Sequence, residues 1–137
     1  MKSIRIAVLA SGRGSNFEAL AIAAADDSFP AEIVLLVVDN PEAGALAVAE
    51  ERGIESVIVD CGPKKGSMSP EASEKIRELC VGKEIDLVCL AGFMRIVKGV
   101  LLEEYAGRTM NIHPALLPSF PGLHGQRQAL EYLSLIH

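Results

Sequence analysis

Asn111 and His113 stand two positions apart in the segment MNIHPALLP, residues 110–118, and are the side chains best suited to chemistry. An imidazole can exchange a proton near pH 7, and an amide can donate a hydrogen bond to a developing oxyanion. Alternation along a strand places both on one face and points Ile112 into the core. The sequence offers the pair no serine or cysteine nucleophile and no metal-ligand spacing, which favours direct acyl transfer to a substrate amine. The alternative interpretation is a turn-stabilising asparagine and a structural histidine held by Pro114.

A glycine-rich turn, SGRGSN at residues 11–16, follows the first predicted strand. Glycines let the backbone approach a phosphate, and a helix N-terminus adds unpaired N–H groups and the positive end of a dipole. A tight turn also favours glycine for its own sake, so a phosphate site and a plain turn both remain open. A dinucleotide site is disfavoured because Phe17 replaces the third glycine of its fingerprint, although Asp39 could act as the ribose-binding acid of such a site.

A third segment, GFMRIV at residues 92–97, carries a cluster of apolar side chains and one cation. A flat, partly apolar ligand with acidic groups could lie against such a backbone. The alternative is that Phe93, Met94 and Ile96 cover the core while Arg95 is solvated. Taken alone, the composition of the segment favours this second interpretation.

These segments all follow predicted strands in an alternating order of strands and helices. Apolar runs predict strands at residues 4–10, 33–38, 56–59, 85–91 and 109–112. Helical spacing predicts four helices: one buries Phe17, Leu20, Ala21 and Ala24; one buries Ala45, Leu46 and Ala49 and stops at Gly53; one starts at Ser69 and Pro70 and buries Ile76, Leu79 and Cys80; one covers residues 100–105. This order predicts an α/β fold, a Rossmann-like open parallel sheet with helices on both faces. Ligands bind beyond the carboxyl ends of such strands, so residues 11–16, 39–40, 92–97 and 111–113 should meet.

The composition predicts one globular domain, residues 1–137, that handles small molecules. The 137 residues are 50% apolar and 23% charged, a composition that suits a buried core. The length is enough for one domain and too short for two. The longest Val/Ile/Leu run, residues 33–38, is far below the roughly 20 residues that span a bilayer. A net charge of −5 argues against nucleic acid and anionic membranes as partners. Three cysteines without paired spacing, and the lack of a signal-peptide cleavage site, predict free thiols and a cytoplasmic location.

Together the three segments resemble the phosphoribosylglycinamide formyltransferases, the folate-dependent GAR transformylases, from about residue 4 to residue 132. The resemblance implies transfer of a formyl group from 10-formyltetrahydrofolate to the amine of glycinamide ribonucleotide (GAR) in de novo purine (IMP) biosynthesis, without a metal. Formyltetrahydrofolate deformylases typically carry a second histidine where this chain has Pro114. Methionyl-tRNA formyltransferases typically carry Arg-Gly where this chain reads Phe120-Pro121-Gly122. A deformylase-like hydrolase and a non-catalytic nucleotide-binding module remain the alternatives.

The resemblance also implies a role for each matching residue. Asn111 would bind the formyl oxygen and stabilise the tetrahedral intermediate, and His113 would transfer the proton. The phosphate of GAR and the pterin of the folate would be held by two separate sets of residues. The phosphate set is Gly14, Ser15 and Asn16, and the pterin set is Met94, Arg95, Ile96 and Val97. A homodimer is a further possibility.

Two departures from the resembled family shape our expectations. A basic residue usual near the start of the third helix is replaced by Ser69 and Pro70, with Lys64 and Lys65 nearby but unaligned. The resembled family continues after residue 132 with further strands and an aspartate that pairs with the catalytic histidine, whereas residues 133–137 form an atypical tail. Without that carboxylate nothing fixes the tautomer of His113. We therefore expect a domain incomplete at its C-terminus, weakly active or inactive alone and prone to association.

Overall fold

The computed structural model describes residues 4–64 and 66–112 of the chain. Strands and helices alternate along these residues, as the sequence predicts. The elements are β1 (Ile4–Ala10), α1 (Ser15–Ala24), β2 (Ala31–Val38), α2 (Ala45–Glu51), β3 (Glu55–Ile58), α3 (Pro70–Gly82), β4 (Leu87–Leu90), α4 (Val100–Glu104) and β5 (Thr109–Asn111).

The five strands form one parallel sheet in the order β3-β2-β1-β4-β5. The chain builds outward from β1 to β3 and then crosses back to place β4 on the other side of β1. The order therefore reverses between β1 and β4, which is the topological switch point where open α/β sheets bind ligands. The prediction of a Rossmann-like parallel sheet is confirmed.

Alternate residues of β1 enter two separate hydrophobic layers. Ile6 and Val8 pack with α1 and α2 on one face of the sheet, and Ala7 and Leu9 pack with α3 and α4 on the other. All four side chains are fully buried, which explains why β1 is apolar from residue 6 to residue 10. Arg5, near its start, is only partly buried. The helices on both faces leave the carboxyl edge of the sheet as the open edge for function.

Local sequence signals account for the helices. The four residues expected on the inner face of α1, namely Phe17, Leu20, Ala21 and Ala24, are its buried residues. Ser69 caps α3 by accepting a hydrogen bond from the amide of Ala72 at 3.1 Å, ahead of a proline in the first turn. Both predictions are confirmed.

Several boundaries differ from the prediction, because backbone hydrogen bonding, and not the apolar run alone, determines where a strand begins and ends. Strand β2 begins at residue 31, since Ala31 and Glu32 pair with β1 although Glu32 is exposed. Strand β4 is shorter than residues 85–91, since the amide of Ile85 bonds to Cys80 and closes the turn after α3. Strand β3 is shifted by one residue at both ends, and strand β5 and helix α4 each end one residue early. Of the residues predicted to be buried in α2 and α3, Leu46 and Leu79 are only partly buried.

All three cysteines, Cys61, Cys80 and Cys89, are free and buried. Burial raises the pKa of the Cys80 and Cys89 thiols to about 12, so both are neutral at physiological pH. No helix in the described ranges is long and apolar enough to cross a bilayer.

Candidate active site

The switch point places the first and third candidate segments side by side. The hydroxyl of Ser11, just after β1, accepts a hydrogen bond from the amide of Met94, just after β4, at 2.9 Å. A Cβ added to Gly92 would lie 3.9 Å from the side-chain amide nitrogen of Asn16. The start of α1 and the loop after β4 therefore form one continuous surface.

The glycine-rich turn leads directly into α1. Gly14 has a left-handed backbone, with φ 87° and ψ 10°, and precedes the first helical residue. A Cβ at this position would lie 2.6 Å from the Cα of Ala45 in α2. Gly14 is therefore required by packing against a neighbouring helix, whatever ligand the turn binds.

The same geometry leaves the start of α1 available to an anion. The first amides of an α-helix have no acceptor within the helix, and they lie at the positive end of its dipole. Ser15 is exposed and Asn16 is half-buried beside these amides. Phe17, by contrast, is fully buried in the core, as expected for a residue that replaces the third glycine of a dinucleotide site.

Residues 93–97 alternate between the protein interior and solvent. Phe93 and Val97 are half-buried and pack against the core. Met94 and Ile96 point outward, with 73% and 68% of their surface exposed. The interpretation in which Met94 and Ile96 cover the core is therefore wrong, because the course of the chain turns these two side chains to solvent and their neighbours inward. Two apolar side chains stand free at the carboxyl edge of the sheet.

Arg95 lies on the inner side of this segment and binds two loops. Its Nε donates to Oδ2 of Asp39 at 3.0 Å, and the two side chains are only 17% and 7% exposed. Its Nη1 donates to the carbonyl oxygens of Gly62, Lys64 and Ser67 at 3.0, 2.9 and 2.8 Å. We call these five residues the Arg95 clasp. The interpretation of Arg95 as a solvated cation is wrong, because its side chain is only 17% exposed and its guanidinium bonds to a nearly buried carboxylate and three backbone carbonyls.

The clasp also bears on Asp39. Sequence alone leaves Asp39 open as a ribose-binding acid, but one carboxylate oxygen binds Arg95 and the other is buried. The carboxylate is therefore committed to the protein, which disfavours a dinucleotide site. Sequence reasoning missed this pair, although both residues follow strands of one parallel sheet and so must lie at the same edge.

Asn111 ends β5 at the level of the other segments. In the sheet Leu9 pairs with Leu90, and Leu90 pairs with Asn111, so Asn111 lies two strand spacings, about 10 Å, from β1. Asn111 is exposed, whereas Ile112 is 5% exposed in the core, as predicted. His113 lies outside the described residues, so its place beside Asn111 stays a prediction.

Other sequence expectations are only partly addressed. Lys64 contributes its carbonyl oxygen to the clasp, while Lys65 lies outside the described residues. Within residues 4–64 and 66–112 no three histidine, cysteine, aspartate or glutamate side chains form a group that could hold a metal ion.

Comparison with known proteins follows the same segments. The family model described as "Formyl transferase" matches residues 4–132. The phosphoribosylglycinamide formyltransferase of Bacillus subtilis is 39% identical over 125 residues, which cover 91% of this chain and 63% of that protein. The trifunctional purine biosynthetic protein adenosine-3 of Drosophila melanogaster is 43% identical over 131 residues, which cover 93% of this chain and 9% of that protein.

Solved structures agree with the curated relatives. The crystal structure of the phosphoribosylglycinamide formyltransferase from Brucella melitensis superposes with a TM-score of 0.73 and 42% identity, over 96% of this chain and 67% of that one. The chain thus spans less than two thirds of the length of the curated relatives described above.

Proposed function

The chain belongs to the formyl transferase family, and from this membership we propose that it acts as a phosphoribosylglycinamide formyltransferase. In this proposal it transfers the formyl group of 10-formyltetrahydrofolate to the amine of GAR, a step of purine biosynthesis. The names of its relatives support the activity. The observation that carries the proposal is the meeting of the glycine-rich turn and residues 92–97 across the switch point, with Asn111 level with them.

The start of α1 would bind the phosphate of GAR. Gly14 brings the turn into a left-handed conformation, and the helix amides after it lie at the positive end of the α1 dipole. Ser15 and Asn16 would add side-chain donors. A phosphate dianion is the ligand charge that this site favours.

Residues 94–97 would bind the folate. The exposed Met94 and Ile96 offer an apolar surface to a flat pterin ring, and the backbone of Arg95 and Val97 would offer amide and carbonyl groups to its polar edge. The Arg95 side chain would not touch the ring, because the clasp holds it on the inner side.

The chemistry joins these two ligands at the end of β5. The GAR amine would attack the formyl carbon, forming a C–N bond and placing negative charge on the formyl oxygen. Asn111 would donate a hydrogen bond to that oxyanion. His113 would take the proton from the attacking amine and deliver it to N10 of the folate as the C–N10 bond breaks. The products would be formyl-GAR and tetrahydrofolate.

We also propose that the protein works in the cytoplasm on small-molecule partners and that residues 4–132 belong to a single domain. Three buried free thiols suit a reducing compartment. A homodimer is compatible with this function, and sedimentation velocity at several protein concentrations measures it.

The proposal is tested by following formyl-GAR formation from GAR and 10-formyltetrahydrofolate. We expect Asn111→Ala to lower the rate about 10²–10³-fold, since it removes the oxyanion donor. Ser28→Ala is the control, because Ser28 is exposed in the loop between α1 and β2, at the edge opposite the site, and its hydroxyl donates to Asp26. We expect its rate to stay within about twofold.

Three results would contradict the proposal. An Asn111→Ala rate equal to the unaltered rate would exclude the assigned role. Formate release in the absence of GAR, without formyl-GAR formation, would favour a deformylase-like hydrolase. Where turnover is too slow to measure, titration calorimetry of each substrate decides, and binding of neither GAR nor the folate would exclude the function.

A further inference from the structure

The Arg95 clasp fixes the segment that faces solvent through Met94 and Ile96. The guanidinium reaches one acceptor in the loop after β2 and three in the loop after β3. The amide of Ile96 adds a backbone bond to the carbonyl of Gly66 at 3.2 Å. A side chain of residues 93–97 is thus tied to two loops that are distant in sequence.

This anchoring determines which side chains face outward. The chain bends at Arg95, and partly buried and exposed side chains alternate from residue 93 to residue 97. Arg95 is held on the inner side, and its two neighbours, Met94 and Ile96, face solvent. Release of Arg95 would let the segment rotate, and Met94 and Ile96 would no longer be held in fixed outward positions.

Asp39 supplies the charge that holds Arg95 in place. Its carboxylate is 7% exposed and forms the one ion pair found for Arg95 in the described part of the chain. Its Oδ1 is buried without a hydrogen-bond partner, and burying an unpaired carboxylate oxygen costs folding free energy. A carboxylate at this position is therefore retained despite that cost. The carbonyl acceptors alone would leave the Arg95 charge uncompensated.

We propose that Asp39 is a positioning residue for the folate, because it holds Arg95 inward and so presents residues 94–97 outward. The inference rests on the proposed function, since it assigns the folate to this segment. Asp39 itself touches no substrate. A merely structural ion pair would change stability and would affect the binding of both substrates alike.

The decisive measurement compares the affinities of the two substrates. Asp39→Asn keeps the shape of the side chain and removes its charge. We expect it to weaken folate binding about tenfold and to leave GAR binding within about twofold, measured by calorimetry. Glu32→Gln is the matched control, since it removes a carboxylate from an exposed pair on β2, with Arg5 at 3.4 Å. We expect it to change neither affinity.

A second readout, the alkylation rate of the Cys61 thiol, does not depend on substrate binding. Cys61 is 1% exposed and immediately precedes Gly62, whose carbonyl Arg95 holds. Opening of the clasp should admit a thiol reagent to Cys61 and leave Cys80 in the core. We expect Asp39→Asn to speed alkylation of Cys61 several-fold with no change at Cys80, as read by peptide mass spectrometry.

A third readout needs no variant. If folate binding and clasp closure are coupled, saturating folate should slow the alkylation of Cys61 in the unaltered protein, and GAR should slow it less. This measurement decides the inference should Asp39→Asn fail to fold.

The outcomes separate the two proposals. Failure of the unaltered chain to bind folate would overturn the proposed function, and this inference with it. Normal folate binding in the unaltered chain, with equal losses of folate and GAR affinity or no loss in Asp39→Asn, would overturn the inference alone. Faster alkylation of Cys80 together with Cys61 would indicate general destabilisation and would also overturn it.

Discussion

The two loops that meet at the switch point are held in place by different kinds of interaction. The turn around Gly14 is fixed by backbone contact, since its α-carbon lies against α2 with no room for a side chain. The segment around Arg95 is fixed by polar side-chain bonds to two other loops. The difference teaches that close packing of a glycine backbone can fix a turn, whereas an exposed apolar segment needs an inward polar anchor.

The largest expected effect tests the backbone side of this comparison. Gly14→Ala forces a left-handed residue to carry a Cβ that would lie 2.6 Å from the Cα of Ala45. We expect a loss of about 3 kcal/mol in the free energy of unfolding, measured by urea denaturation. Gly12→Ala is the control, because a Cβ there meets nothing within 4 Å. Equal losses in both variants would show that Gly14 is not fixed by packing.

The next effect tests the side-chain anchor. Arg95→Met keeps much of the side-chain volume and leaves Asp39 buried without its cation. We expect a loss of about 2 kcal/mol in the free energy of unfolding. Lys83→Met is the control, since it removes a cation from a more exposed pair with Glu55, and exposed pairs contribute about 0–1 kcal/mol. A loss of stability no greater than that of the control would show that the Arg95 clasp contributes no more than an exposed ion pair.

The smallest effect concerns the bond that joins the two loops. Ser11→Ala leaves the amide of Met94 without its acceptor. We expect a loss of about 1 kcal/mol in stability and a few-fold weaker folate binding, with GAR binding unchanged. Ser28→Ala is the control, because the Ser28 hydroxyl makes an exposed bond to Asp26. Weaker GAR binding in Ser11→Ala would mean that the loops are coupled more tightly than the comparison assumes.

Sequence reasoning predicted what local patterns encode. The buried stripe of α1 and the cap at Ser69 follow from spacing and from side-chain chemistry within a few residues. The parallel sheet follows from the alternation of elements. The meeting of residues 11–16 with residues 92–97 follows from the sheet as well, since parallel strands end at one edge.

The rest could not be read locally. Asp39 and Arg95 are 56 positions apart, and no pattern around either residue names the other as its partner. The outward direction of Met94 and Ile96 depends on that pair. No local sequence feature indicates that direction, so composition alone predicted that both side chains cover the core. The pair formed by Asn111 and His113 stays a prediction from strand alternation and resemblance.

The contact between Gly14 and α2 is reciprocal. A Cβ on Gly44 would lie 2.6 Å from the carbonyl oxygen of Arg13, just as one on Gly14 would meet Ala45. The starts of α1 and α2 are therefore packed against each other, and neither can move without the other. An anion that reaches the amides of α1 meets donors whose freedom was already lost when the chain folded. Its capture should then require no rearrangement of the turn, so that its association rate is set by diffusional encounter.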